Sequence, residues 1–357
     1  MVAPRITIPI LANILVEAQE DGTIIFTATD LSIAIRCTGK AKVLEPGATT
    51  IPARRSAQLF RELKVPHVEL FANEKDVMQV TAGDSTFRLH GLSTNEFPSI
   101  PDVSTAFKLL LKQSELKDML FRTSFAVSKE DSRYALTGVY LQCSNGVAVF
   151  VGTDGKRLAR SYLPVSAAVE TPLECILPLK AIDEIARNLR DNEDVVLYIM
   201  PDKIAVEAND TFILTKLLSG DYPDVDRVIP SASQWVVPMH REELMMLLRQ
   251  VCPFVGSESA TSSVKCTLQD AMLHLTADSI GVGEGKVSMP VNYSGPRFDI
   301  AFNPLSLLQV LQHNKNEVVS FGLTDSYNPI VIADGELEAV HKEFPSPLFV
   351  LMPLRLG

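Results

Sequence analysis

The sequence lacks the short motifs that mark most metal sites, disulfide frameworks and hydrolytic enzymes. Its five cysteines are widely spaced and include no C-x-x-C pair, which argues against a zinc site or a disulfide framework and suits a reducing compartment. The six histidines are scattered without an H-E-x-x-H motif, and no G-x-S-x-G is present. We therefore expect no metal, no cofactor and no catalytic residue.

Long apolar runs are also missing. No run approaches the roughly 18 residues of a membrane span, and Pro9 and Asn13 interrupt the short apolar segment after Arg5. These absences predict a soluble, cytoplasmic protein with no membrane partner. The hydrophobic content, 46% of 357 residues, is ordinary for a globular protein and predicts two or three domains.

What the sequence does contain is a threefold internal repeat. Aspartates recur at a spacing of 124 residues, as Asp30, Asp154 and Asp278. Prolines that precede a helical pattern recur at a spacing of 126 residues, as Pro52, Pro178 and Pro304. Phe97-Pro98 returns as Tyr222-Pro223, with the prolines 125 residues apart. A unit of this length is a whole domain, because solenoid repeats are much shorter.

Each copy alternates period-2 strands with amphipathic helices, which predicts three α+β domains with helices on one face of antiparallel sheet. The predicted boundaries are 1–106, 107–231 and 232–357. The first copy has 18 fewer residues before its aspartate than the second. We therefore expect the first domain to lack the opening strand and helix of the other copies, and the native protein to extend upstream.

The stretch VGTDGKRL, residues 151–158, looks chemically rich but reads best as a hairpin. Asp154-Gly155 is a turn signal between two alternating segments. Because the aspartate recurs in all three copies, we interpret it as a turn residue that caps backbone N–H groups in each. Lys156, Arg157 and Leu158 occur in one copy only, which makes them candidates for function.

The net charge of −10 is unevenly distributed. The five predicted helices together carry +5, whereas the rest of the chain carries −15. Most of this excess lies in helix 53–64, with Arg54, Arg55, Arg61 and Lys64 against Glu62. Two interpretations stay open, ordinary solvated helix faces or a helix-lined surface that accepts phosphates.

Several long ordered motifs make the chain similar to the bacterial DNA sliding clamp family, the beta subunit of DNA polymerase III. They are EPGATTIPAR, DSRYALTG, TDGKRLA, GDYPDVDRVIP and the terminal FVLMPLRLG, and the resemblance covers essentially the whole chain. It implies three clamp domains per chain and a head-to-tail homodimeric ring around duplex DNA, with helices inside and sheets outside. It also implies a non-catalytic processivity subunit that tethers the replicative polymerase, since sliding needs only weak, sequence-independent phosphate contacts.

The resemblance further implies partners and sites. The partners are double-stranded DNA, the DNA polymerase III catalytic subunit, the clamp loader, and other DNA polymerases and repair proteins. A partner-peptide pocket between the second and third domains would use Leu136, Thr153, Gly155, Lys156, Arg157, Leu158, Pro223, Arg227, Val228, Asn303, Val350, Met352, Pro353, Leu354, Arg355 and Leu356. DNA contacts are expected at Arg133 and Tyr134 from the DSRY motif and, from helix position, at Arg54, Arg61, Lys64, Arg187 and Arg190. An edge strand of the first domain would bring Phe87 and Leu89 to the dimer contact.

The chain departs from the family pattern at several positions. Lys156 stands where a histidine is common, and Ser306 stands where an aromatic residue often lies. We therefore expect a shallower pocket with altered partner preference. Two alternatives to a clamp remain, a three-domain interaction scaffold that does not encircle DNA and an enzyme whose site is built from distant residues.

Overall fold

The computed structural model describes residues 8–166, 172–256, 263–279, 281–341 and 345–355. The chain forms two compact units. Unit 1 comprises residues 1–114 and 183–217, and unit 2 comprises residues 115–182 and 218–357. The division falls inside the second repeat, because each large sheet takes strands from two neighbouring repeats.

The described residues form five α-helices, one at each place where the repeat pattern predicts a helix. They are α1 (Ala53–Glu62), α2 (Gln113–Ser124), α3 (Leu179–Asn188), α4 (Arg241–Val251) and α5 (Pro304–Gln312). Short 3-10 segments lie at Pro9–Ala12, Thr94–Glu96, Asp131–Thr137, Val225–Val228 and Cys252–Phe254. Residues 8–106 contain α1 as their one α-helix. None of the helices in the described part of the chain has the length and apolar character that a membrane crossing needs.

All strand pairs that the structure describes are antiparallel. The strands are β1 (Asn13–Ala18), β2 (Thr23–Thr29), β3 (Ile33–Lys40), β4 (Gly47–Pro52), β5 (Glu69–Ala72), β6 (Val77–Ala82), β7 (Ser85–His90), β8 (Phe107–Lys112), β9 (Gly138–Ser144), β10 (Val147–Thr153), β11 (Arg157–Pro164), β12 (Leu173–Pro178), β13 (Asp194–Ile199), β14 (Lys203–Ala208), β15 (Thr211–Lys216), β16 (Trp235–His240), β17 (Val264–Gln269), β18 (Met272–Ser279), β19 (Gly283–Pro290), β20 (Phe298–Phe302), β21 (Val318–Leu323), β22 (Ile330–Ala333) and β23 (Leu348–Leu351).

Unit 1 contains an eight-stranded sheet of order β4-β1-β2-β3-β15-β14-β13-β8 and a three-stranded sheet β5-β6-β7. The pairing of β3 with β15 joins the first repeat to the second. Leu59 and Phe60 of α1 pack on a core that includes Val16, Ile51 and Val80. Leu59 and Phe60 are half-buried, so each contributes part of the roughly 1.5–3 kcal/mol of a fully buried side chain, and this packing rather than helix propensity holds the short helix in place.

Unit 2 repeats this plan. Its eight-stranded sheet has the order β12-β9-β10-β11-β23-β22-β21-β16, and its four-stranded sheet the order β19-β18-β17-β20. Here β11 of the second repeat pairs with β23 of the third. Helices α4 and α5 bury Leu244, Leu248, Leu307 and Leu311 in one core with both sheets.

Three details differ from the sequence-based expectations. Asp278 lies inside β18, opposite Glu284, because that strand extends past the position where the other hairpins turn. Lys64 lies beyond the end of α1, where Pro66 disfavours helical geometry for the residue before it. Arg190 lies beyond the end of α3, and its backbone N–H is bound by the Gln113 side chain at 2.5 Å.

Candidate functional site

The hairpin between β10 and β11 carries the K-R-L segment, and Asp154 holds its turn. Asp154 Oδ1 accepts hydrogen bonds from the backbone N–H groups of Lys156 at 2.9 Å and Arg157 at 3.0 Å. Gly155 has φ +83°, a conformation that glycine adopts without steric cost. The turn role predicted for Asp154 is confirmed, and Asp30 binds two backbone N–H groups of its own turn in the same way.

This hairpin lies beside the C-terminal strand. Leu158 of β11 pairs with Val350 of β23. The Met352 backbone N–H donates to the Lys156 carbonyl oxygen at 2.9 Å, and that of Leu354 donates to the Ala301 carbonyl oxygen at 2.7 Å. The structure therefore brings together the K-R-L segment, the tail and the chain that leads into α5.

A small apolar cluster lies on this part of the sheet. Leu158 and Val350 are buried in it, and the half-buried Tyr222 packs against them from the connection between the second and third repeats. The Tyr222 ring stacks on Tyr140 with centroids 4.7 Å apart, and its hydroxyl donates to the Val151 carbonyl oxygen at 3.3 Å. Burial raises the pKa of Tyr222, so its phenol stays neutral.

Exposed groups surround this cluster. Met352 is 40% exposed and Val228 is 51% exposed, and Lys156 is also exposed. An apolar base with apolar and cationic side chains at its rim suits a short extended peptide.

Arg157 has its donors used within the protein. Its side chain is 9% exposed, with Nε 3.1 Å from Asp154 Oδ2. Its Nη2 donates to the Phe125 carbonyl oxygen at 2.9 Å, its Nη1 donates to Gln309 Oε1, and the guanidinium lies 5.2 Å from the centre of the Phe125 ring. These hydrogen bonds connect the hairpin to the end of α2 and to the middle of α5. Arg157 therefore acts as a positioning residue.

The remaining pocket residues of the sequence analysis fall into three groups by exposure. Thr153 is buried, with its hydroxyl on the Arg157 carbonyl oxygen at 2.6 Å. The half-buried residues are Leu136, Asn303, Pro353 and Leu354. The other exposed residues are Gly155, Pro223, Arg227 and Arg355. Leu356 lies outside the described residues.

Two of these residues have local structural roles. Asn303 caps α5, because its Oδ1 accepts the Ser306 backbone N–H at 3.0 Å. Arg227 forms an ion pair with Asp224 at 2.8 Å. Sequence reasoning missed Phe125 and Gln309, which resemble ordinary helix residues until tertiary packing brings them to Arg157.

Known proteins match this chain over nearly its full length. Family models of the DNA polymerase III beta subunit match in three parts, the N-terminal domain at residues 1–101, the central domain at 110–224 and the C-terminal domain at 226–345. The chain belongs to the bacterial DNA sliding clamp family. It is thus a DNA clamp of the replication machinery. Members of this family are processivity factors of DNA polymerase III and have no catalytic activity of their own.

Individual clamps agree with this assignment over nearly their full length. The beta sliding clamp of Chlamydia pneumoniae is 46% identical over 356 residues, which cover 99% of this chain and 94% of that protein. That of Salmonella typhimurium is 31% identical over 357 residues, with 99% and 94% covered. The crystal structure of the DNA polymerase III subunit beta from Pseudomonas aeruginosa has a TM-score of 0.91 at 28% identity, covering 99% of this chain and 95% of that one.

The clamp's candidate DNA-contacting residues in unit 1 are solvent-exposed. Arg54 and Arg61 are exposed on α1, and Lys64 follows that helix. Arg187 is exposed on α3 with Nη1 3.1 Å from Glu184, and Arg190 is exposed just after it. Lys64 and Arg190 are therefore loop cations rather than the helix residues that the sequence pattern predicted.

The two candidates in unit 2 lie beside the K-R-L hairpin. Arg133 is exposed, and its Nη1 donates to the Asp154 carbonyl oxygen at 3.0 Å. Tyr134 is 53% exposed. The same loop therefore supports the hairpin turn and presents an aromatic ring to solvent.

The candidate dimer strand of the clamp, β7, is an edge strand of the three-stranded sheet. Leu89 is 8% exposed and Phe87 is half-buried, and both pack on the core beneath α1. Alternate residues of a strand point to opposite faces, and Thr86, Arg88 and His90 are exposed on the face opposite Phe87 and Leu89. Leu89 packs in the core of its own domain, and the contact of this strand with a second chain stays a prediction.

Proposed function

We propose that this clamp acts as a head-to-tail homodimeric ring that encircles duplex DNA in the cytoplasm and tethers the DNA polymerase III catalytic subunit. The observation that carries the proposal is the match of three successive clamp domains in one chain. We place their boundaries at 1–106, 107–231 and 232–357. Topological enclosure then supplies retention on DNA, because phosphate contacts alone are weak and independent of sequence.

A retention experiment tests enclosure directly. The protein is loaded on nicked circular DNA with a clamp loader and ATP, and the DNA is then cut once with a restriction enzyme. The ring should stay on the circle and be lost from the linear product. Blocking both ends with tightly bound proteins should restore retention, which controls for an effect of cutting itself. Equal retention on circular and open linear DNA would favour a scaffold that does not encircle DNA.

The dimer contact is proposed to run along β7. Within the described residues this strand pairs with β6 alone, so one row of its backbone groups is available to a second chain. The half-buried side chain of Phe87 packs against the domain core and so holds this edge strand in position. We expect Phe87→Ala to shift sedimentation from dimer towards monomer. Phe71→Ala, on the exposed face of the opposite edge strand β5, is the matched control and should leave the dimer intact.

The partner pocket is proposed to be the groove over Leu158 and Val350. Its occupants would be short extended peptides of the polymerase, the clamp loader, other DNA polymerases and repair proteins. The buried pair supplies the apolar base, and the exposed Met352, Val228 and Lys156 supply contacts at the rim.

Peptide binding measured by fluorescence anisotropy tests this pocket. Met352→Glu places a charge at the apolar rim and should weaken partner peptides at least tenfold, while DNA retention is unchanged. Tyr327→Glu, at a residue that is 76% exposed and outside the groove residues, is the control. Peptide affinity that is equal in both variants would contradict this location.

A further inference from the structure

A buried ion pair joins helix α2 of the second repeat to the third repeat. Arg122, near the end of α2, is 8% exposed, and its Nη1 lies 2.8 Å from Asp334 Oδ2. The Asp334 side chain is itself 4% exposed. Arg122 Nε also lies 2.8 Å from Asp118 Oδ2, one turn earlier on the same helix. The guanidinium therefore binds one carboxylate from each of the two repeats.

Asp334 in turn organises the chain around the end of β22. It directly follows Ala333, the last residue of that strand. Its Oδ1 accepts the backbone N–H groups of Lys315 at 3.0 Å and Asn316 at 2.8 Å, in the segment that leads from α5 to β21. Together with the guanidinium, these donors fix the end of β22 relative to both α2 and α5.

The end of β22 is close to the partner groove. Val331 of this strand belongs to the apolar cluster of Leu158 and Val350, and it pairs directly with Val350. Asp334 is three residues further along the chain. Since successive residues of a strand alternate between faces, Val331 faces the groove whereas Asp334 faces the helices, where Arg122 binds it.

The repeat shows that the fold itself does not need a carboxylate at position 334. Positions 82, 208 and 334 are spaced by 126 residues, as are the prolines ahead of the helices. The strand pairing supports this alignment, because Val331 pairs with Val350 on β23 as Ala205 pairs with Leu214 on β15. Positions 82 and 208 both carry an alanine that is 4% exposed.

The arginine is likewise particular to one helix. Leu120 of α2 and Leu248 of α4 are both buried and are 128 residues apart, so Arg122 corresponds to Gln250. Gln250 is exposed. The second and third repeats therefore solve the same packing problem differently, and the ion pair occurs where α2 meets the following repeat.

Stability alone does not account for such a pair. Replacing a buried ion pair with apolar residues is often neutral or stabilising, because two charges must lose their hydration when they are buried. What the pair supplies that alanine does not is a directed link between two repeats, with one geometry set by the guanidinium.

We propose that Arg122 is a positioning residue for the partner groove: by binding Asp334, it holds the end of β22, and with it Val331 and Val350, in a fixed place relative to α2. The inference rests on the groove proposed above and goes beyond it, because Arg122 acts from the opposite side of the sheet.

Two variants separate positioning from stability. Arg122→Met leaves the buried Asp334 carboxylate without its cation, so it should lower the Tm. It should also weaken groove binding about fivefold, the size of effect expected when a residue outside a site changes the geometry of that site. Adding Asp334→Ala removes the orphaned charge and introduces the residue found at positions 82 and 208. This double variant should regain most of the lost Tm, whereas its binding should stay about fivefold weaker than that of the parent.

The probe is the fluorescein-labelled peptide Gly-Ser-Leu-Ser-Leu-Phe, measured by fluorescence anisotropy well below the Tm of every variant. Arg249→Met, at an exposed arginine on α4, is the matched control and should keep the parent Tm and affinity. Recovery of both Tm and affinity in the double variant would mean that Arg122 acts through stability alone, and would overturn the proposal. Parent affinity in Arg122→Met would overturn it as well.

Hydrogen exchange distinguishes a failure of the groove from a failure of this inference. A parent protein that does not bind the probe would contradict the groove, and exchange on peptides that contain β22 and β23 would then decide the role of Arg122. Faster exchange confined to these strands in the double variant supports positioning. Exchange there that matches the parent, or that rises equally across unit 2, overturns it.

Discussion

Replacing Arg157 with methionine should loosen the junction between the second and third repeats. The substitution removes a guanidinium that is 9% exposed and retains an unbranched apolar side chain. It deletes the donor to the Phe125 carbonyl oxygen at 2.9 Å, the donor to Gln309 Oε1 and the ion pair with Asp154 at 3.1 Å. No nearby group of the hairpin replaces these donors, because Lys156 is exposed and lies on the other side of the strand.

The contacts set the magnitude. Each buried acceptor that loses a charged donor costs about 1–3 kcal/mol. The Asp154 carboxylate is 25% exposed and also binds two backbone N–H groups, so its ion pair adds less. Methionine recovers part of the contact with the Phe125 ring. We expect the free energy of local opening in unit 2 to fall by about 3–5 kcal/mol.

Hydrogen exchange with mass spectrometry measures this opening on peptides that contain β11 and β23. Arg157→Met should accelerate exchange there and weaken partner peptides as a consequence, whereas Lys156→Met should leave exchange unchanged. The reasoning is refuted if Arg157→Met lowers the opening free energy by less than about 1 kcal/mol. It is also refuted if Arg157→Met loses peptide affinity with exchange unchanged, since Arg157 would then contact the peptide itself.

Two further outcomes follow from charge and burial. Arg54→Gln with Arg61→Gln should weaken DNA binding equally for all sequences and reduce the salt slope by about 1.8, and a loss that depends on DNA sequence would contradict phosphate contact. Burial lowers the pKa of His313 and His341 below 6.5, so the unfolded chain binds more protons than the folded chain near that pH. Stability should be complete above about pH 6.5 and fall as the pH decreases towards the folded pKa. Thermal unfolding between about pH 7.5 and 5.5 measures it, with a smaller pH dependence expected for His313→Phe and a flat parent profile contradicting the argument.

Local chemistry explains how far the sequence alone predicted this structure. Helix and strand periods, the Asp154-Gly155 turn and the spacing of the repeats depend on neighbours along the chain, so the five helices and the K-R-L hairpin were predictable. The ends of the helices were less predictable. Lys64 and Arg190 continue the helical pattern of the sequence, but Pro66 disfavours helical geometry before it and the Gln113 side chain binds the Arg190 backbone N–H. The clamp family was recognisable because whole motifs, rather than single residues, recur in order.

The sequence by itself determined three α+β repeats, the turns at Asp30 and Asp154, and the family. Tertiary structure decided which strands of different repeats share a sheet, as β11 does with β23, and so what each side chain faces. That pairing accompanies the burial of Arg157, which the family resemblance had placed only among the pocket residues. The physical reason is that the pairing register of strands far apart in the sequence depends on which sheet faces are buried against each other, away from water. No local pattern of residues encodes that choice.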